Sequence, residues 1–525
     1  MTKITLIKPP MLTKSKSFHL SHGVPPIGLA YIAGALKSQN FSYKILDAHG
    51  EKIHRFAHVE QDFIIHGLMP EEIVARIPKE TEYILISFMF SCEKKLYYDI
   101  CSRIRNLYPE KIIIVGGEHA TAAYKEILDH GYADYCVLGE GDEVIVNLIK
   151  ALEKNQCMKS VGGIAYVTDT GVIQHSRLKR IKNISEYKAC WDQFPIENYM
   201  SIRTGMNTVN HRAFPISATR GCPYQCTFCS SPNMWGTSYF TRPPSDVVQE
   251  MKELHERYQV EHFDFTDLTA MVNRAWTLEL CNLLIKENLP VTWQTGAGSR
   301  SETFTDEVLV ALKKSKILKI IFAVEAGNQV TIDRIKKNLD VDKVMDRIKR
   351  AKRNGHHVKV QFIMGMVDQT LKECLVSAWY IIRCSLYGVE DISVFSFHPY
   401  PGSEMYDQVD RTHAESDEFY TYSDLYSKQC ASNHLGPIQL WLLTTGMMIF
   451  CMALQYTIRP WRLWRLFKNI IITKKPSAQI EMAIFAKFFK DKKLYSHLVD
   501  DDFRFQQRKP AFYDVEKIPL KLAGN

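Results

Sequence analysis

Short runs of aliphatic and β-branched residues alternate with amphipathic segments at the start of the chain. The runs that predict β-strands are Ile4–Ile7, Tyr43–Leu46, Tyr83–Ser87, Lys111–Val115 and Tyr135–Leu138. Between the first two runs, Leu29, Ile32, Ala33 and Leu36 have the i, i+3, i+4, i+7 spacing of a helix that covers a sheet. Five strands separated by helices predict a doubly wound, flavodoxin-like parallel sheet over residues 1–155.

This alternation is lost between residues 156 and 213. Gly162–Tyr166, followed by Asp169–Gly171, predicts a small hairpin, whereas Asn183–Arg212 has no regular period. We therefore interpret residues 156–213 as a linker that contains one hairpin.

Longer strand-and-helix units begin at Phe214. Their strand runs are Pro215–Thr219, His262–Thr266, Val291–Gln294, Ile320–Val324, Val358–Ile363 and Ile392–Phe397. Six such units without obvious hairpins predict a partial (β/α)6 barrel over residues 214–410, with its chemistry at the carboxyl ends of the strands. No strand pattern follows, and residues 411–525 are predicted to form a helical C-terminal region.

The composition fits a globular protein of several domains. The 525 residues are 46% hydrophobic and 24% charged, and 66 Lys and Arg against 58 Asp and Glu give a net charge of +8. So small an excess does not require a nucleic-acid partner. The basic cluster Arg347–Arg353 lies on a predicted barrel helix and is interpreted as its solvated outer face, so no nucleic acid is expected.

Two features predict a cytoplasmic protein. The first apolar run ends at Lys8-Pro9-Pro10, so it is too short for the core of a secretory signal. The thirteen cysteines are odd in number and mostly scattered singly within apolar stretches. A secreted disulfide framework would look different, so we expect a reducing compartment.

Three cysteines stand apart from this scatter. Cys222, Cys226 and Cys229 lie in the loop after the first predicted barrel strand, separated by three and then two residues. Thiolates are soft ligands for zinc or for iron–sulfur clusters. A closed zinc or four-cysteine cluster site needs a fourth ligand nearby, and none is close in sequence. Three ligands in one loop instead indicate a cluster with one corner open to a substrate.

At these residues the chain resembles the radical S-adenosylmethionine (SAM) superfamily, whose CxxxCxxC loop follows the first strand of a partial (β/α)6 barrel. The later strand-end segments that resemble the family are Phe263–Asp267, Val324–Gly327, Met364–Val367 and Pro399–Ser403. Ala326 replaces the usual Ser of its segment, and Val367 stands where Pro is common.

The resemblance implies roles for individual residues. Cys222, Cys226 and Cys229 would hold a [4Fe–4S] cluster whose remaining iron binds the amino and carboxylate groups of SAM. An external one-electron reductant of the flavodoxin or ferredoxin type would supply the cluster with an electron. The other residues assigned to the SAM site are Phe228 near the adenine, Glu325 at the ribose or methionine portion, and Asp267, Arg300, Gly327, Gly365 and Pro401 around the mouth. For Arg300, a surface position before the helix predicted near Thr305 remains an alternative.

The N-terminal domain resembles the cobalamin-binding domain that precedes the barrel in one radical SAM class. The resemblance rests on Pro25–Ala33, Gly116–Thr121 and Gly139–Glu143. The residues assigned to cobalamin follow the predicted strands and are Ser87, Gly116, Gly117, His119, Glu140 and Gly141. The Asp-x-His-x-x-Gly motif that supplies a cobalt ligand elsewhere is absent. We therefore expect cobalamin without a protein histidine on cobalt, and His49 and His119 as hydrogen-bonding residues.

The C-terminal region carries one long apolar segment. Leu435–Ile458 contains no Asp, Glu, Lys or Arg and is long enough to span a bilayer, but polar residues dilute it. A buried helix is the favoured interpretation. Arg459–Lys468 interleaves basic and aromatic residues; it fits a helix that packs Leu and Trp inward, and residues 438–468 leave open a peripheral membrane contact.

Together these features predict a cobalamin-dependent radical SAM enzyme. One electron from the cluster would cleave SAM to a 5′-deoxyadenosyl radical, and the corrinoid would present a methyl group to the substrate radical. The expected reaction is methylation of an unactivated carbon or phosphorus of a small molecule or natural-product intermediate. The alternatives are a non-methylating cyclase or rearrangement enzyme of the tetrapyrrole-cyclase type, and a corrinoid-binding or electron-transfer module without radical chemistry.

Overall fold

The structure is a computed structural model that describes residues 3–14, 23–59, 63–206, 208–409, 430–474, 476 and 478–485. Every residue assigned above to a cofactor lies within these ranges. Of the helical region predicted over 411–525, residues 411–429, 475, 477 and 486–525 lie outside the described residues.

The N-terminal sheet has the predicted flavodoxin-like topology. Its parallel strands are β1 (Ile4–Lys8), β3 (Tyr43–Asp47), β6 (Tyr83–Ser87), β7 (Ile112–Gly116) and β8 (Tyr135–Val137). They pair in the order β3-β1-β6-β7-β8, which is the 2-1-3-4-5 order of doubly wound sheets. The covering helices are α1 (Ile27–Ser38), α2 (Pro70–Ala75), α3 (Lys94–Leu107), α4 (Glu118–Asp129) and α5 (Gly141–Glu153). The strands are apolar along their length because both faces of the sheet are covered.

The N-terminal domain contains one extension of this sheet and one separate small sheet. The predicted hairpin, β9 (Ile164–Thr168) and β10 (Gly171–Gln174), pairs antiparallel with β8 and extends the sheet to seven strands. A small antiparallel sheet that was not predicted joins β2 (Met11–Lys14), β4 (Phe56–Val59) and β5 (Phe63–His66).

The segment between the two domains is ordered by aromatic packing. Trp191 lies edge-on to Phe214 of the first barrel strand, with ring centroids 4.9 Å apart. Tyr199, on α6 (Ile196–Ile202), donates its hydroxyl to the buried Asp47 at the end of β3. The connector therefore ties the sheet to the barrel through buried rings.

Six parallel strands form an open partial barrel, as predicted. They are β11 (Ala213–Ile216), β14 (His262–Phe265), β15 (Thr292–Thr295), β16 (Ile320–Glu325), β17 (Val358–Met364) and β18 (Asp391–Ser396). They pair as β11-β14-β15 and β16-β17-β18, and a parallel bridge between Ser299 and Phe322 joins the two halves. A short antiparallel pair, β12 (Thr219–Arg220) and β13 (Phe240–Thr241), lies outside the barrel.

Most barrel helices begin at a side chain that caps them. The helices are α7 (Ser231–Trp235), α8 (Pro244–Tyr258), α9 (Arg274–Glu287), α10 (Asp306–Lys314), α11 (Gln329–Arg334), α12 (Val341–Arg353) and α13 (Leu371–Leu386). Asn273, Thr305, Asn328, Asp340 and Thr370 accept backbone N–H bonds at the starts of α9 to α13. Such caps satisfy amides that have no partner inside the helix, and so fix where each helix begins.

The C-terminal helices depart from the sequence-based interpretation. They are α14 (Pro437–Ile458), which contains a π-helical turn at Leu442–Gly446, α15 (Trp461–Phe467), which continues as a π-helical turn at Lys468–Ile472, and α16 (Gln479–Phe485). By length and composition α14 is the one described helix that meets the criterion for a membrane span. Only 28% of its most apolar stretch is buried, whereas a core helix would be mostly buried. The buried-helix interpretation is therefore wrong.

The predicted orientation of α15 is also wrong. Arg462 is buried and donates to the carbonyl oxygens of Gly388 and Val389, whereas Trp461 and Trp464 are 63% and 61% exposed. The carbonyls before β18 hold the guanidinium inward, which turns both indoles toward solvent.

Candidate active site

The cysteine loop is fixed at its start by Asp267. This carboxylate, after β14, accepts hydrogen bonds from the backbone N–H groups of Ala218 and Thr219 and, at 2.6 Å, from the Thr219 hydroxyl. Burial raises the pKa of Asp267 to about 6, although these hydrogen bonds act to lower it. Asp267, expected to line the mouth, thus bonds to the residues that lead into the cysteines.

Gly221 makes the turn into the first cysteine. Its φ is +87°, and a Cβ there would overlap the carbonyl oxygen of Ser238. Only glycine adopts this conformation without strain in so close a contact. The turn sends the chain from β12 into the loop of Cys222, Cys226 and Cys229.

The three thiols of the loop are free and partly buried. Burial raises the pKa of each, that of Cys226 to about 11, while the positive charge of Lys337 lowers the pKa of Cys226 and Cys222. Cys229 is close enough to the other two thiols for charge on one to raise the pKa of its neighbour. Metal binding would therefore release protons from these thiols.

The donor set suits an iron–sulfur cube better than a single ion. Among the described residues no group of three or more His, Cys, Asp or Glu side chains is arranged to hold one metal ion. Three thiolates on a cube bind three different irons, so they need not converge on a point. Three free thiols in one loop, with cations beside them, fit a cluster held at three corners.

An ion pair lies beside the thiols. Glu325, the last residue of β16, accepts a hydrogen bond from Lys337 at 2.6 Å, and both side chains are almost fully buried. Glu325 has a φ of +64° and follows a register shift in β16. A non-glycine residue in this region is strained, and such strain concentrates at functional sites. Here the strained backbone directs the carboxylate toward Cys226, whose pKa it raises.

Sequence reasoning missed Lys337. The residue is 4% exposed, and its ammonium lies 6.0 Å from the centre of the Phe228 ring. It belongs to the segment after α11, which carries no recognisable motif. No signal in the sequence marks it, because its burial and its partner are set by the fold.

Arg300 is buried, at 8% exposed, so the alternative of a surface position is wrong. Its guanidinium lies 3.7 Å from the centre of the Tyr224 ring, within the cysteine loop. It also donates to the backbone carbonyls of Lys337 and Asn338, the latter at 2.8 Å. Arg300 thus braces the cysteine loop against the segment that carries Lys337.

A cavity of about 220 Å³ opens beside the loop, at the carboxyl ends of β17 and β18. Its lining is mainly apolar and aromatic, with Phe228 from the loop, and consists of Phe228, Ile363, Phe395, Ser396, Phe397, His398 and Tyr400. An aromatic wall of this kind suits a planar ring.

The other residues assigned to the SAM site serve packing contacts. A Cβ at Gly327 would overlap Tyr380 of α13, and the Gly327 N–H donates to Ser377 at 3.1 Å. A Cβ at Gly365 would meet the Leu440 side chain of α14. Pro401 lies in the turn after the cavity residue Tyr400, and its neighbour Gly402 packs against the N-terminal domain. Of these three, only Pro401 is adjacent to the cavity.

The strand ends of the N-terminal sheet face this mouth. Ser87 and Gly116 are paired at the ends of β6 and β7, and Gly117, with φ +121°, lies so close to the carbonyl of Phe88 that a Cβ would not fit. In the loop after β6, Met89 is 43% and Phe90 56% exposed. A flat edge of glycine backbone with exposed apolar side chains fits a large planar ligand such as a corrin ring.

Both histidines near this edge are engaged in hydrogen bonds. The ring nitrogens of His119 contact Ser91 at 3.0 Å and Tyr98 at 3.1 Å, and burial lowers its pKa to about 3. His49 contacts the carbonyl oxygen of His66 at 3.0 Å. Both residues therefore make hydrogen bonds, as expected.

The domains are joined by charges next to the cysteine loop. Arg220, two residues before Cys222, forms a two-pronged contact with Asp142 at 2.9 and 3.1 Å. Glu140, assigned above to cobalamin, accepts from Arg180 at 2.6 Å and faces Arg220 at 3.4 Å. Gly141 lies against the Ile32 side chain. Glu140 therefore serves the contact between domains, whereas Gly141 packs within the N-terminal domain.

A second bridge lies on the other side of the loop. The hydroxyl of Ser230, directly after Cys229, donates to Glu118 at the start of α4. Burial raises the pKa of Glu118, whose negative charge raises that of Cys229. The strand-end edge of the sheet and the cysteine loop are thus in direct contact, and we call this junction the seam.

Comparisons with known proteins match both of the domains that meet at the seam. Residues 216–377 match the radical SAM superfamily, and residues 19–149 match the B12 binding domain. Both family resemblances drawn from the sequence are thereby confirmed.

Related proteins include methyltransferases and a cyclase. The cytidylyl-2-hydroxyethylphosphonate methyltransferase of Streptomyces wedmorensis is 28% identical over 415 residues, covering 72% of this chain and 77% of the relative. The anaerobic magnesium-protoporphyrin IX monomethyl ester cyclase of Cereibacter sphaeroides is 26% identical over 366 residues, covering 68% of this chain and 56% of the relative.

The fold also matches a solved structure. OxsB, a cobalamin-dependent S-adenosylmethionine radical enzyme solved with aqua-cobalamin and S-adenosylmethionine bound, aligns with a TM-score of 0.66 at 14% identity. The match covers 93% of this chain and 75% of OxsB, and it confirms the arrangement of sheet, barrel and C-terminal region.

Proposed function

Because the chain belongs to the radical SAM enzymes that carry a B12-binding domain, we propose that its seam methylates an unactivated carbon or phosphorus centre of a small molecule. The proposal rests mainly on one observation: three free thiols and the Glu325–Lys337 pair lie at the barrel mouth, directly against the strand-end edge of the N-terminal sheet. When bound, the [4Fe–4S] cluster, SAM and cobalamin supply radical generation and a transferable methyl group.

The protein's own residues bind and position these groups. Cys222, Cys226 and Cys229 would hold the cluster, and Phe228 stands in the wall of the adjacent cavity, where it would pack against an adenine ring. Lys337 and Glu325 offer one cation and one anion beside the thiols, which match the carboxylate and amino groups of SAM.

The seam would also hold the two cofactor-binding edges against each other. Arg220 and Asp142 hold the sheet against the barrel beside the first cysteine, and Ser230 and Glu118 do so beside the last. A closed junction holds reacting groups in register and keeps water from a radical intermediate.

The electron for SAM cleavage comes from neither SAM nor cobalamin, so we also propose an external one-electron reductant of the flavodoxin or ferredoxin type. A cytoplasmic location fits the thirteen free thiols. A peripheral membrane contact through residues 438–468 belongs to the same proposal.

A product assay tests the function. Protein reconstituted anaerobically with iron, sulfide and cobalamin is given SAM and either dithionite or reduced flavodoxin. Methyl transfer predicts 5′-deoxyadenosine together with S-adenosylhomocysteine and methylcobalamin. The absence of all three would favour a corrinoid-binding or electron-transfer module and overturn the proposal.

The same assay separates the second candidate, a cyclase or rearrangement enzyme. A relative named as a cyclase favours it, although this chain covers only 56% of that relative. A cyclase predicts 5′-deoxyadenosine without S-adenosylhomocysteine or methylcobalamin. Mass spectrometry of extracts from cells with and without the gene then identifies the substrate.

A further inference from the structure

Two neighbouring barrel helices expose surfaces of opposite character to solvent, one charged and one apolar. The exposed residues of α12 are charged throughout: Asp342, Lys343, Asp346, Arg350 and Arg353. The exposed residues of α13 are almost all apolar or aromatic: Leu371, Lys372, Leu375, Val376, Trp379 and Leu386. Trp379 is 59% exposed, near the middle of the helix. A helix on the outside of a globular barrel normally keeps its outer side polar.

The apolar surface of α13 continues onto the C-terminal helices. We define the apolar face by six exposed side chains, which are Leu375 and Trp379 of α13, Ile438 and Phe450 of α14, and Trp461 and Trp464 of α15. Soluble monomers rarely expose a contiguous patch that spans three helices, so such a patch marks a site of interaction.

The helix α14 is held lengthwise along the barrel. Near its start Leu440 packs against Gly365, after β17. Near its end Gln455 donates to the Ser385 hydroxyl at 3.1 Å, and the following helix is anchored by Arg462 on Gly388 at 2.8 Å. A helix fastened in this way at both ends cannot cross a bilayer while the barrel stays folded. Its apolar side can only lie flat against a surface.

The charge around the apolar face is positive. Residues 430–474 contain no Asp or Glu, and five Arg and Lys lie at positions 459, 462, 465, 468 and 474. Arg462 is buried and Arg465 lies 3.7 Å from the buried Glu481 of α16, so the exposed charge comes mainly from Lys468 and Lys474. Two copies of the chain joined through this face would bring like charges together, whereas anionic lipid headgroups would neutralise them.

We propose that α13, α14 and α15 form a monotopic membrane-binding face that lies flat on an anionic lipid bilayer. Exposed indoles with cationic neighbours are typical of side chains at the lipid–water boundary. The proposal deepens the peripheral contact suggested for residues 438–468 by adding α13 and excluding a span. It does not depend on which reaction the seam carries out.

Vesicle flotation of the full-length protein tests the proposal. We expect flotation with vesicles of phosphatidylcholine and phosphatidylglycerol in about equal parts, and several-fold less with phosphatidylcholine alone. Trp379→Glu and Trp464→Glu should each lower binding at least about tenfold, because each places a charge in the apolar layer. Val310→Glu is the matched control; Val310 is 42% exposed on α10, away from the face, and should bind as the unaltered protein does.

The outcomes are distinct. Binding that is lost in both tryptophan variants and kept in the control supports the membrane face. Failure of the unaltered protein to float, or binding that both variants retain, overturns it. A dimer detected by light scattering that both variants dissociate, without flotation, would overturn it in favour of a second copy. Release of 5′-deoxyadenosine, measured on the same samples without lipid, reports separately on the proposed function.

Discussion

The seam and the apolar face differ in the kind of side chain that each places unfavourably: the seam buries charged groups, and the apolar face exposes aromatic ones. At the seam, charged groups are buried: Arg220 and Asp142 are each 7% exposed at the side chain, and Lys337 is 6%. On the apolar face, Trp379, Trp461 and Trp464 are about 60% exposed. Buried charge and exposed apolar area both cost free energy, so each indicates a role other than stability.

The difference lies in what each region binds. A buried ion pair sets the charge felt by a neighbouring group, as Lys337 does for Cys226. An exposed apolar face has no such local effect and gains only when a second surface covers it. The two regions should therefore respond independently to substitution.

The largest expected effect is at the cysteine loop. Cys226→Ala removes one of three proposed cluster ligands, so the iron–sulfur absorbance and 5′-deoxyadenosine formation should both fall to background. Vesicle flotation should not change. Cys157→Ala, at an exposed cysteine, is the matched control and should retain all three properties. Persistent 5′-deoxyadenosine formation in Cys226→Ala would refute the ligand assignment.

Arg220→Met should destabilise the protein by about 3 kcal/mol, because it leaves the Asp142 carboxylate buried without its partner. Anaerobic denaturant unfolding measures this loss. Adding Asp142→Asn should recover a large part of it, since no unpaired charge then remains. Trp379→Glu, on the exposed face, should cost under about 0.5 kcal/mol. Equal losses at Arg220 and Trp379 would erase the contrast between the regions.

Lys337→Met should raise the KM for SAM about thirtyfold, because the proposed partner of the SAM carboxylate is lost. The double variant with Glu325→Gln distinguishes binding from folding. It removes the unpaired carboxylate, so stability should return, while the KM should be at least as high as in Lys337→Met because Glu325 is the proposed partner of the SAM amino group. A normal KM in Lys337→Met would place the SAM carboxylate elsewhere.

The smallest effect concerns the rim of the apolar face. One lysine near an anionic membrane contributes about 1 kcal/mol, so Lys468→Gln should weaken vesicle binding about fivefold. Raising the salt concentration should have the same direction of effect through screening. Lys314→Gln on α10 is the control. SAM cleavage should be equal in the unaltered protein, Lys468→Gln and Lys314→Gln. A change in cleavage in Lys468→Gln would show that the apolar face and the seam are coupled.

The strands and the thiols were the most predictable parts of the chain. All eleven strand runs found by periodicity are present, and the Cys222–Cys229 loop follows the first barrel strand. These features are local, because the side-chain period and the spacing of ligands are written in adjacent residues. The sheet of β2, β4 and β5 was not predicted because each strand has only four residues and β2 pairs with β5 across some 50 residues.

The contacts of individual residues at the site were less predictable. Asp267 and Arg300 were expected to line the mouth, yet their hydrogen bonds go to Thr219 and to the segment around Lys337. Glu140 was assigned to cobalamin, and it faces Arg180 and Arg220. The sequence correctly predicts the edge of the sheet or barrel at which a charged residue lies. It does not predict the partner of that residue, which comes from a distant part of the chain.

The sequence by itself determined the two parallel α/β folds, the order of their strands along the chain and the position of three thiols. Periodicity and ligand spacing act over a few residues, and they carry this information without reference to the rest of the chain. The tertiary structure alone decided that Lys337 pairs with Glu325, that Arg220 joins the domains, and that α15 turns its arginine inward and its tryptophans outward. Those outcomes depend on which distant carbonyl or carboxylate meets each cation, because a buried charge must take the partner that the fold supplies.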